Sequence, residues 1–163
     1  MMMFQAEKYQ GPKKDSYGLV TKQLKALLDG EPNKIANLSN ASALLNQFLD
    51  RINWVGFYLY EEESNQLVLG PFQGLPACVR IPLGRGVCGT SASERKTLVV
   101  EDVHSFPGHI ACDAASKSEI VIPLVKDGKL VGVLDIDSPE KSRFDEEDQK
   151  YLEVFTEELM NHL

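Results

Sequence analysis

At 163 residues with 43% hydrophobic content, the chain supports one domain with a full core and is too short for two to be expected. A formal net charge of -7 opposes binding to nucleic-acid phosphates or anionic membrane surfaces. No apolar run reaches membrane-spanning length and Met1 to Lys14 lacks the apolar centre of a secretory signal, so the expected compartment is the cytoplasm, where three cysteines read as free, catalytic or metal-bound.

Met1 to Gly11 reads as a poorly ordered lead-in, with Gly11-Pro12 as punctuation before a domain over 12–163. From Asp15 or Ser16 a helix is expected to about Asp29, with Leu19, Leu24, Leu27 and Leu28 on its apolar side and Gly30 as its stop. A second helix follows Pro32, carrying Ile35, Leu38, Ala41, Leu44, Leu45 and Phe48. Two helices before any strand argue against a pure βα repeat and for an antiparallel sheet flanked by helices.

Asn53 to Glu61 alternates as a strand, with Val55, Phe57 and Leu59 on one face and Trp54, Gly56, Tyr58 and Tyr60 on the other. A glycine between aromatics predicts a hollow with aromatic walls; ordinary cross-strand aromatic packing is the plainer alternative. A strand over Gln66 to Leu69, a turn over Gly70 to Gly74 and a strand over Cys78 to Ile81 follow. Gly84 to Thr90 reads GRGVCGT, a tight loop that a short helix over Ser91 to Lys96 extends beyond Cys88. It lacks the lysine and spacing of a P-loop. After a short strand over Thr97 to Glu101, Asp102 to Lys117 has no regular period and carries His104, His109 and Cys112, with Val103, Phe106 and Ile110 to pin it as an ordered lid.

The next two strands carry a conflict. Ile120, Ile122, Leu124, Leu130, Leu134 and Ile136 make one face, and Glu119, Val121, Val131, Val133, Asp135 and Asp137 make the other. A three-residue loop, Lys126-Asp127-Gly128, keeps both sets together and predicts that Glu119 faces Asp135. Such a face lies in water, or it forms a carboxylate cluster that binds a cation or shares a proton. Pro139 to Arg143 is a polar turn, and Asp145 to His162 a terminal helix with Leu152, Phe155, Leu159 and Leu163 on its buried side.

Three chemistries suit these residues. Zinc binding by Cys88, His104, His109 and Cys112 lacks a CxxC pair or HExxH motif, and no metal is expected. Hydrolysis by a Cys-His pair has no recognisable local context. Thiol redox catalysis, in which a sulfenic acid condenses with a second cysteine, fits three cysteines in a glycine loop, a strand and a lid best.

The segments NWVGFYL (Asn53 to Leu59), LGPFQG (Leu69 to Gly74), ACVRIP (Ala77 to Pro82), GRGVCGT, EDVH (Glu101 to His104), GHIACDAASKSEIVIPL (Gly108 to Leu124) and GVLDIDSP (Gly132 to Pro139) resemble the free methionine-(R)-sulfoxide reductases. That resemblance implies an α+β fold: a single GAF domain whose central antiparallel sheet has the N-terminal and C-terminal helices packed on one face. It implies an enzyme that reduces free methionine-(R)-sulfoxide with no bound cofactor. Cys112 would be the nucleophile, Cys88 or Cys78 the resolving thiol with the preference on Cys88, and a thioredoxin-type dithiol the reductant. Glu119, Asp135 and Asp137 would hold the substrate ammonium, a neutral acid among them would protonate the sulfoxide oxygen, and Trp54 with Tyr58 would wall its methyl group. A homodimer is a further expectation, and a non-catalytic GAF sensor module is the alternative function.

Overall fold

The computed structural model describes residues 11–109 and 114–163. The lead-in before Gly11, together with Ile110 and Cys112 of the expected lid, therefore lies outside the described residues. The elements run α1 (Lys13–Leu28), α2 (Lys34–Phe48), β1 (Trp54–Glu61), β2 (Gln66–Gly74), β3 (Arg80–Pro82), α3 (Gly86–Glu94), β4 (Leu98–Val100), a 3-10 turn (Val103–Ser105), β5 (Ser118–Lys126), β6 (Lys129–Ser138) and α4 (Glu146–Met160). The six strands form one sheet in the order β3-β2-β1-β6-β5-β4, antiparallel at every pairing. No helix among the described residues is long and apolar enough to cross a membrane.

The strand alternation explains the two layers. Val55, Phe57, Ile120, Ile122, Leu134 and Ile136 pack into the core with α1, α2 and α4, while Trp54, Tyr58, Val121 and Val133 face the other way and meet Val87, Cys88 and Ala92 of α3. On α1 the buried stripe is Tyr17, Val20, Leu24 and Leu28, at helical spacing; Leu19 and Leu27 are only half-buried. Each fully buried leucine there contributes about 1.5–3 kcal/mol of transfer free energy. Ile35, expected inside, is exposed at the start of α2.

Several local expectations are corrected. Gly70 to Gly74 continues β2 rather than turning, with an irregularity in the β1 pairing between Gly56 and Tyr58. The hollow expected at Gly56 is filled: a Cβ there would stand 2.2 Å from Phe72 Cβ, and the Phe72 ring stacks on Trp54 at 5.1 Å. Cys88 sits within α3, so GRGVCGT is a turn leading into helix rather than a loop followed by one.

The β5-β6 turn is two residues, Asp127-Gly128, both at positive φ, where Gly128 suits the left-handed backbone. An extra residue at Val131 shifts the register between Leu124 and Val125. Beyond that bulge Glu119 pairs with Asp137, and Asp135 pairs with Val121, not with Glu119. The same extra residue sends Leu130 to the α3 side and Val131 to the other core. The three acids still share one face, as their even spacing requires; only the cross-strand partner of Glu119 differs from the expected one.

The terminal helix is anchored by charge. Asp145 Oδ1 accepts the Asp148 N–H at 2.9 Å and Asp148 Oδ2 accepts the Asp145 N–H at 2.9 Å, a reciprocal cap. Lys13 of α1 reaches both carboxylates, at 2.8 and 2.9 Å, and the Tyr17 hydroxyl donates to Asp148 Oδ1 at 2.7 Å. Burial alone would raise the Asp145 pKa, but the Lys13 hydrogen bond, the capping N–H and the Lys13 charge outweigh it and bring it down to about 2. A carboxylate lowered in the folded state stabilises fully above its unfolded value, about 3.9, and that contribution is lost as pH falls through the folded value. Asp145→Ala should therefore cost about 1 kcal/mol at pH 7. Thermal melts of both proteins should converge as pH drops from about 4 towards 2; a gap independent of pH would show that the ionised carboxylate contributes nothing.

Candidate active site

A cavity opens between the α3 side of the sheet and the segment before β3. Its floor is acidic: Glu119 from β5 and Asp135 and Asp137 from β6. Cys88 and Val87 of α3 form one wall, and Trp54, Pro76 and Ala77 another. His109 and Ser116, which flank the 110–113 segment, close a third side. The sheet puts the acids together because Glu119, Asp135 and Asp137 share one face, and β1 supplies Trp54 opposite Asp137 and Gly56 opposite Asp135.

These carboxyls are not on a solvated surface. Glu119 is 6% and Asp135 5% exposed. Burial, followed by the charges of Asp135 and Asp137, pushes the Glu119 pKa well up. Burial also raises Asp135, although hydrogen bonds from Glu119, Cys88 and Asp137 pull it back. Two buried like charges cannot both ionise cheaply, so the pair holds a proton, with Glu119 the stronger claimant. Asp135 Oδ1 is buried with no hydrogen-bond partner.

The cysteines differ sharply. Cys88 is a buried free thiol whose Sγ lies 3.9 Å from Glu119 Oε2. Burial and then the neighbouring acids push its pKa well up, so it stays a thiol. Cys78 is disulfide-bonded. It lies on the segment between β2 and β3, half-buried, and two aromatic side chains fasten that segment: Trp54 Nε1 donates to Leu75 O at 3.1 Å and the Tyr58 hydroxyl to Cys78 O at 3.0 Å. Tyr58 stacks on Trp54 at 5.8 Å and does not itself line the cavity. It positions the backbone at Cys78.

Both ends of the expected lid are tied down. Val103 is fully buried and its N–H donates to Lys117 O at 2.9 Å, while Lys117 N–H donates to Ser138 O at 2.8 Å. Cys112 itself lies outside the described residues.

A model of the GAF domain family matches residues 39–163. Protein YtsP of Bacillus subtilis is 62% identical over 157 residues, 96% of each chain. The free methionine-R-sulfoxide reductase of Escherichia coli is 52% identical over 147 residues, covering 90% of this chain and 88% of its own. The X-ray structure of free methionine-R-sulfoxide reductase from Neisseria meningitidis in complex with its substrate superposes with a TM-score of 0.94 at 43% identity, covering 98% of this chain and 95% of that one. The chain belongs to the free methionine-R-sulfoxide reductase family of GAF domains.

In this member of the reductase family, the structure gathers Trp54, Cys88, Glu119, Asp135 and Asp137 around one cavity and leaves Tyr58 behind it. His109 lines the cavity too, its pKa lowered by burial and by His104 against the pull of Asp135. His104 is exposed, with its ring 6.2 Å from that of His109, and neither histidine joins Cys88, Glu119 and Asp135 in their close cluster among the described residues. Arg85 and Ser116 were missed by sequence reasoning. Arg85 carried a usable signal: it precedes the glycine that opens α3, and no side chain caps that helix, which leaves its first N–H groups without helical partners beside the cavity. Ser116, whose Oγ accepts from Asn53 Nδ2 at 3.1 Å, carried none.

Proposed function

We propose that this protein reduces free methionine-(R)-sulfoxide to methionine. The observation that carries the reading is the buried acid cluster facing a cysteine-bearing wall, in a chain 52% identical to a free methionine-R-sulfoxide reductase. A free amino acid has an ammonium group that a peptide-bound methionine lacks, and buried carboxylates are its natural partners. Its carboxylate has a complementary place at the uncapped start of α3, next to Arg85. Trp54 supplies an apolar surface for the methyl group.

The chemistry runs in two steps. The Cys112 thiolate attacks the sulfoxide sulfur while neutral Glu119 gives a proton to the sulfoxide oxygen; the new S–S bond and the substrate S–O bond then break as the hydroxyl passes to the Cys112 sulfur, so methionine departs reduced and Cys112 is left oxidised as a sulfenic acid. A second thiol condenses with it, forming a disulfide and releasing water. Cys78 suits that second role better than Cys88, because Cys78 already takes part in a disulfide while Cys88 is a buried thiol held protonated beside the acids. A dithiol of the thioredoxin type restores both thiols by exchange. In this reading the domain spans 12–163 and works in the cytoplasm.

The test is methionine release, measured by chromatography, from free methionine-(R)-sulfoxide, its S epimer and a peptide-bound sulfoxide, each with excess dithiol. Turnover of the free R epimer alone supports the reading. Equal turnover of the peptide refutes the ammonium argument, and no turnover of any of them returns the cavity to a non-catalytic ligand-binding role.

A further inference from the structure

The donor set around the cavity holds more than an ammonium group requires. Cys88 Sγ, a Glu119 carboxylate oxygen and an Asp135 carboxylate oxygen lie within 4.8 Å of one another, and all three residues are buried. An ammonium needs acceptors, and the carboxylates suffice; a thiol beside them adds nothing to its recognition. A thiolate with two carboxylates is instead a ligand set for a soft or borderline divalent cation. Independently of the cluster's composition, Asp135 Oδ1 is buried and without a hydrogen-bond partner, a cost that a bound cation would remove.

We infer that Cys88, Glu119 and Asp135 form a binding site for a redox-inert thiophilic divalent cation of the zinc class, competing with the substrate's ammonium for the same carboxylates. Three protein ligands leave the fourth tetrahedral position open to the cavity, which His109 also lines. Binding displaces the Cys88 thiol proton, since a coordinating thiol is deprotonated outright. A cation held by Glu119 and Asp135 takes up carboxylate oxygens that the ammonium would use and places a second positive charge beside it, so metal and substrate compete. The metal site stands on the ligand geometry alone; only the competition rests on the proposed reductase reading.

The experiment uses the full chain with Cys78→Ser and Cys112→Ser, which leaves Cys88 as the one thiol and precludes any disulfide. Zinc is titrated by calorimetry and cobalt(II) by absorption, followed in its thiolate charge-transfer band. One metal per chain with that band is expected. Adding Cys88→Ala should abolish the band, and adding Asp135→Asn, a near-isosteric change, should keep it but weaken zinc. Losing a group that merely supports a ligand costs roughly 10–100-fold in affinity, so losing a ligand should cost at least that. Circular dichroism checks that each variant is folded. No uptake, uptake without the band, or zinc affinity unchanged by Asp135→Asn would each overturn the site. Excess free methionine should raise the apparent zinc dissociation constant, and if it does not, the competition fails while the metal site stands.

Discussion

Cys112→Ser should abolish methionine formation, lowering turnover by roughly 10⁴-fold or more, the order seen when an enzyme loses its nucleophile. The other cysteines should separate by which step they stop. Cys78→Ser should release one methionine per chain and then stall, with a sulfenic acid that dimedone traps and no internal disulfide by mass spectrometry. Cys88→Ala should still form that disulfide on adding substrate. The contrast follows from environment: Tyr58 and Trp54 fasten the Cys78 segment, whereas Cys88 is packed against Glu119 on the far wall. A disulfide that survives Cys78→Ser and disappears with Cys88→Ala would reverse the assignment. Full turnover by Cys112→Ser would remove the mechanism altogether.

The two layers of the fold are legible in the sequence because side-chain alternation depends only on local period. Val55 and Phe57 on one face and Trp54 and Tyr58 on the other follow from that period alone, and so does the collection of three acids on one side of the β5-β6 hairpin. What the period does not carry is one extra residue. The bulge at Val131 changes which acids face each other, and the continuation of β2 past Gly70 places Phe72 where a hollow was expected. Bulges depend on how two strands twist together, so neither strand's pattern announces them. The choice between Cys78 and Cys88 is likewise hidden. It rests on burial and on the acids around Cys88, quantities created only when α3 packs onto the sheet.

Glu119→Gln should lower kcat by about 10²–10⁴-fold, the usual worth of a positioned proton donor, with a much smaller change in KM. Glutamine keeps the shape and cannot supply the proton, so Asp135 and Asp137 can still hold the ammonium while the sulfoxide oxygen goes unprotonated. Wild-type kcat should fall as pH rises through the raised Glu119 pKa, and the variant's profile should lose that limb. Stability should move the opposite way. A carboxyl whose folded pKa lies above its unfolded value, about 4.3, contributes fully below the unfolded value and loses that contribution as pH rises through the folded one. The glutamine variant has no such loss, so its melting temperature should exceed that of the wild type at pH 8 and the advantage should shrink towards pH 4. A variant that is slow but no more stable would mean that burying Glu119 costs the fold nothing, and one that is stable and fully active would move the proton donor to Asp135. Loss of activity with gain of stability is the outcome that a buried, proton-sharing acid pair requires, because the burial and the neighbouring charges that raise the Glu119 pKa are the same costs that the folded state must carry when it ionises.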